Sequence, residues 1–125
     1  MQAALRVFTA LFGAVCVAIG LVHIAFGPTA IPGSVPVNAT MDSEDRFYAT
    51  LFVGFGVAIV WASSNLAARS GAFLSLLAVF FCGGVARIVS AIAVGPPSPL
   101  FVFLGSLELI LPPLMWVWHR RAFAA

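Results

Sequence analysis

Two residues carry charge inside stretches that are otherwise apolar. Arg87 stands in Gly83-Gly84-Val85-Ala86-Arg87-Ile88-Val89-Ser90-Ala91, and Glu108 follows Gly105-Ser106-Leu107. An arginine at the centre of a membrane helix costs about 2.5 to 3.5 kcal/mol on insertion scales, and a carboxylate is penalised in a similar way. Each therefore calls for a partner. A guanidinium offers a planar fork of donors that matches a carboxylate, so these two side chains suit one another. Such a pair can lock two helices together, hold the polar end of an amphiphile, or present Glu108 for proton transfer. His23, Glu44, Arg46 and Tyr48 are further polar groups at or near the ends of apolar runs.

The elements that position these groups follow from composition. The 125 residues are 62% hydrophobic and 8% charged, with a mean hydropathy of +1.13; about a quarter of the residues of a soluble domain are charged. The chain reads as an integral membrane protein. Its six basic residues are all arginine, and a scattered net charge of +2 excludes a nucleic-acid surface. Cys16 and Cys82 lie in separate apolar segments and form neither a C-x-x-C nor a His/Cys ligand set, so they read as packing residues. The first apolar run, Leu5 to Phe26, is longer than a signal-peptide core and reads as a retained helix.

With about 20 residues needed to cross the hydrocarbon, four spans are expected, at about 5–26, 46–64, 71–94 and 99–118. These make a single domain over 1–125, an all-α membrane protein built as an antiparallel four-helix transmembrane bundle. The segment from Gly27 to Met41 reads as a loop, with Asp42 capping the second helix. Ser98 should cap the fourth, with Pro99 at its tolerated first position. Arg6, Arg69, Arg120 and Arg121 fall on one side of this arrangement, which places both termini in the cytoplasm by the positive-inside rule. Trp61, Trp116 and Trp118 then mark the cytoplasmic interface.

Depth brings the polar groups together. At about 1.5 Å per residue, Arg87 lies about 10 Å and Glu108 about 14 Å below the outer surface. Small residues flank both, with Gly83, Gly84, Ser90 and Ala91 beside Arg87 and Gly105 beside Glu108, as expected where membrane helices approach closely. Gly13, Gly20 and Gly27 form a stripe on the first span, and Gly54, Ala58 and Ala62 a ladder on the second. Pro112 and Pro113 have no N–H for the carbonyls of Glu108 and Leu109, so the fourth helix should kink there. The expected intramembrane polar cluster is Arg87, Glu108, His23, Arg46, Glu44 and Tyr48, in the outer half of the bundle.

The run Ala39-Thr40-Met41-Asp42-Ser43-Glu44-Asp45-Arg46-Phe47-Tyr48, the Gly83-Gly84-Val85-Ala86-Arg87 stretch, Gly95-Pro96-Pro97-Ser98-Pro99, and Leu107-Glu108-Leu109 with Pro112 together resemble a family catalogued as domain of unknown function 4345. The resemblance covers nearly the whole chain, with Glu44, Arg46, Arg87 and Glu108 at matching motif positions. It implies four helices in a bacterial inner membrane and no established activity. A more distant likeness to DoxX-like four-helix proteins is one of fold alone.

Three functions compete. The leading reading is a bundle whose outer-half polar pocket takes a small apolar or lipid-like ligand. The second is an accessory subunit, packed against itself as a homo-oligomer or against a larger membrane complex, with Arg87 and Glu108 as a purely structural pair. The third is a small proton-coupled transporter. No substrate is specified, so no enzymatic activity is assigned. No cofactor is expected: haem in a bundle needs histidines at matching depth, whereas His23 and His119 fall at opposite ends, an arrangement that also gives no metal site.

Overall fold

The structure is a computed structural model that describes residues 1–124. Four helices of 25 residues each account for most of the chain: α1 (Gln2–Phe26), α2 (Ala39–Ser63), α3 (Ser70–Val94) and α4 (Pro99–Phe123), with a short 3₁₀ turn at Gly27–Ala30. At 1.5 Å per residue each helix is about 37 Å long, more than the roughly 30 Å of a bilayer's hydrocarbon. All four are long and apolar enough to cross a membrane. Helices satisfy backbone N–H and C=O groups internally, which an apolar medium demands. Large apolar side chains are abundant on the outside, Ile92 and Val94 being 81% and 87% exposed. Faces of that kind suit lipid rather than water.

The helix starts differ from expectation in one instructive place. α2 begins at Ala39 rather than near Arg46, and its cap is Asn38, whose side-chain oxygen accepts from the Met41 N–H at 3.0 Å. Asp42, expected to be the cap, lies inside the first turn. Asn is as good a cap as Asp, and moving the start upstream frees Asp42 to meet Arg46 one turn on. The segment after Gly27 is also less loop-like than its composition, since Gly27–Ala30 forms the 3₁₀ turn. α4 begins at Pro99 as expected, but the Ser98 side chain makes no capping bond; its backbone carbonyl accepts from Phe101 and Val102 instead. α3 ends at Gly95, whose φ of +109° is inaccessible to most residues. α4 runs through Pro112 and Pro113 as one helical segment.

The chain divides into two compact units, Val7–Asn65 and Met1–Arg6 with Leu66–Ala125. In the first, α1 and α2 meet across glycines. A Cβ on Gly13 would stand 2.7 Å from the Gly56 carbonyl oxygen, and one on Gly56 would stand 2.7 Å from that of Gly13. Gly20 packs on Ala49 and Val53 in the same way. The glycine stripe of α1 is thus a contact face, as its spacing suggests, but its counterpart is Gly56 and not the Gly54 ladder. Gly54 faces open space. Phe12 meets Phe55 edge-on, and Phe55 stacks on Phe52.

In the second unit, Leu5, Leu66, Phe73, Leu77 and Met115 are buried. His119 is buried too: its Nε2 lies 3.2 Å from the Leu66 carbonyl oxygen, and its ring lies between those of Phe73 and Phe123. Gln2 donates from its side-chain amide to the Ala122 carbonyl at 2.8 Å. The cysteines are free, Cys16 buried and Cys82 exposed.

The glycine contacts make a contrast that thermal unfolding in detergent, followed by circular dichroism, can read. Gly13→Ala and Gly56→Ala force backbone apart and are each expected to cost about 1–3 kcal/mol. Gly54→Ala meets nothing within 4 Å and is expected to be neutral or to stabilise by up to about 1 kcal/mol.

Candidate functional site

The polar residues resolve into specific pairs. On α3 and α4, Arg87 donates from Nε to Glu108 Oε2 at 2.7 Å. The Glu108 side chain is 11% accessible and that of Arg87 41%, so the carboxylate is the enclosed partner and the guanidinium the one nearer the surface. Glycines make the approach possible. A Cβ on Gly84 would fall 2.9 Å from Leu109 Cγ and 3.0 Å from Glu108 Cβ, and one on Gly105 would fall 3.2 Å from Arg87 Cδ. Each glycine leaves room for the stem of the other helix's charged side chain. The guanidinium also lies 5.5 Å from the centre of the Phe101 ring, a favourable cation–π distance. A guanidinium has five N–H donors; the one on Nε is taken, and among the described residues the four on Nη1 and Nη2 make no hydrogen bond within the chain.

On α1 and α2 the arrangement is different. Arg46 grips Asp42 with both Nε, at 2.8 Å, and Nη2, at 3.2 Å, and donates from Nη1 to the carbonyls of Ile24 and Ala25. Carbonyls in the last turn of a helix lack intrahelical donors, and Arg46 supplies two of them for α1. The chain then turns through Gly27 at a φ of +62°, where a Cβ would lie 2.6 Å from Asp42 Oδ1 and 2.9 Å from Arg46 Nη2. Arg46 is therefore a clamp with four of its five donors engaged. Beside it, His23 Nδ1 lies 3.3 Å and 3.4 Å from the two carboxylate oxygens of Asp45, both side chains about one-fifth accessible. A carboxylate on Nδ1 orients the ring and leaves Nε2 as its other polar atom. Glu44 is exposed, and Tyr48 is exposed with its ring edge-on to Phe47.

Of the six residues expected to form a site, the structure thus pairs Arg87 with Glu108, gives His23 and Arg46 partners from α2's first turns, and places Glu44 and Tyr48 on exposed surface. Asp42 and Asp45 are the partners that the sequence reading did not name as site residues. The signal for Asp42 was present, because acid and arginine four apart on a helix are neighbours; for Asp45 a depth shared with His23 was legible, but nothing chose it over Glu44 as the partner 22 residues away. Among the described residues no three His, Cys, Asp or Glu side chains are placed to hold a metal ion.

Fold and polar pairs together define a class, an all-helical protein with four apolar helices of membrane-spanning length and an ion pair set among glycines. The family is specific: the sequence model of a family described as a domain of unknown function, number 4345, matches residues 4–119, and the chain belongs to that family. No curated protein and no solved structure matches it.

The unequal burial of the pair sets an order of mutational cost. Arg87→Ala strands an enclosed carboxylate and is expected to lower stability by about 2 kcal/mol, within the range for breaking a buried pair discounted for the exposed arginine. Glu108→Gln keeps an acceptor beside a guanidinium that reaches solvent or headgroups, and is expected to cost less than half as much. Chemical denaturation of the two variants in detergent checks the order.

Proposed function

We propose that this is a multi-pass membrane protein, a single antiparallel four-helix bundle of the bacterial inner membrane with cytoplasmic termini, that holds a small apolar or lipid-like ligand by its polar end at Arg87. The observation that carries this reading is the guanidinium with one donor on Glu108 and, among the described residues, four that make no hydrogen bond. Arg46, by contrast, has four of its five donors on acceptors within its own unit. Arg87 sits among apolar side chains, and donors left over at that depth favour an external acceptor such as a carbonyl, a hydroxyl or a phosphate oxygen. Glu108 offsets the charge and fixes the fork's orientation, so an uncharged or weakly anionic head suits it best.

The reading of the chain as an accessory subunit has its own support, since Gly84 and Gly105 fit Glu108 and Arg87 as a packed joint. A paired apolar replacement separates the two. Buried ion pairs are often replaced by apolar residues of similar size without loss of stability, so Arg87→Met with Glu108→Met should unfold at a temperature close to the wild type. If Arg87 holds a ligand, lipid or quinone co-purified with the protein and measured by mass spectrometry should fall at least tenfold in that stable variant. Unchanged co-purification would remove the ligand reading.

A further inference from the structure

The net charge of +2 hides a division. The unit Val7–Asn65 holds Arg46 against Asp42, Glu44 and Asp45, a net of −2, while Met1–Arg6 with Leu66–Ala125 holds five arginines and a single acid, a net of +4. The single acid is Glu108, already paired with Arg87. The unit's other charged side chains are four arginines, Arg6, Arg69, Arg120 and Arg121.

Contacts within that unit bring these four to one end of it. Gln2 bonds to Ala122, one residue past Arg121, and Arg6 stands about one helical turn, some 6 Å, from Gln2. His119, beside Arg120, bonds to the Leu66 carbonyl three residues before Arg69 and meets the ring of Phe73, whose N–H bonds to Arg69's own carbonyl. The first turn of α1, the first turn of α3 and the last turn of α4 thus share one end. Two helix N-termini there add unsatisfied N–H groups and positive dipole ends. Arg6, Arg120 and Arg121 are exposed, and Arg69 is partly so. The Arg120 guanidinium lies 5.2 Å from the centre of the half-exposed Trp116 ring, a residue type that favours the headgroup level of a bilayer.

From this juxtaposition we propose that the arginine end of α1, α3 and α4 is a binding surface for anionic phospholipid headgroups, a site separate from Arg87. Four delocalised cations within a few turns suit phosphodiester oxygens, which guanidinium forks grasp in bidentate fashion. A helix set of membrane-spanning length puts this end at the height where such groups lie. The occupant is the lipid rather than free phosphate, because the apolar faces of α3 and α4 just below the arginines accommodate the acyl chains of the same molecule.

The experiment titrates the full chain in detergent with phosphatidylglycerol or with phosphatidylcholine of the same acyl chains and counts bound lipid by native mass spectrometry. Phosphatidylglycerol should bind at least tenfold more tightly. Each arginine near an anionic membrane surface contributes about a fivefold gain, so Arg120→Gln with Arg121→Gln should weaken phosphatidylglycerol binding about 25-fold and leave phosphatidylcholine binding unchanged. Glu44→Gln, in the other unit, should alter neither. Equal binding of the two lipids by the wild type overturns the proposal before any variant is made. A phosphatidylglycerol preference that survives the double substitution overturns the assignment to this end, and its loss in equimolar inorganic phosphate overturns the choice of lipid as occupant.

Discussion

A carboxylate set nine residues inside an apolar helix must have a countercharge, and much of this molecule is arranged around that requirement. Glu108 has the Arg87 guanidinium at 2.7 Å, and Gly84 and Gly105 carry no Cβ where the opposing stems pass. Small residues in membrane helices are usually explained by backbone proximity. Here they do a second thing, making space for the methylenes of charged side chains. The neutral pair that results can be held in an apolar setting at far less cost than either ion alone.

Arginine is used in three ways along the chain. Arg46 is largely engaged, with two bonds to Asp42 and two to the closing carbonyls of α1, so it joins helix end to helix start and ties down the Gly27 turn. Arg87 is half committed, one nitrogen to Glu108 and the rest of the fork beyond it. Arg6, Arg69, Arg120 and Arg121 gather at one end of a unit whose one acidic side chain is Glu108. The same side chain thus serves as a clamp, as a paired group with donors to spare, and as part of a cationic helix end. Between Arg46 and Arg87 what differs is the number of acceptors the fold brings within reach, and that number sets how many donors remain for an outside group.

Histidine shows the same dependence on surroundings. His119 is enclosed between two phenylalanine rings and bonded to a backbone carbonyl, which makes it a packing residue with a satisfied polar atom. His23 is oriented by Asp45 and keeps partial access. The sequence places both near helix ends and offers little to tell them apart, since their difference lies in residues 22 and 53 positions away.

The sequence by itself determined the class of structure. Hydropathy over more than 20 residues at a time is a local property of the chain, and it marked four helices whose inner boundaries at Phe26, Val94 and Pro99 agree with the structure. It also identified Arg87 and Glu108 as partners, because charge in an apolar run is costly wherever the run folds and leaves few ways to offset it. The start of α2 was legible only in part: Asn38 and Asp42 are both competent caps, and in the structure Asn38 caps while Asp42 pairs with Arg46. Only the tertiary structure decided that Gly56 rather than Gly54 receives α1, that Asp45 rather than Glu44 meets His23, and that Arg46 is spent on the carbonyls of Ile24 and Ala25. Those choices turn on the rotation of one helix against another, where a step of one residue swings a side chain by about 100°, and no local pattern in the chain carries that angle.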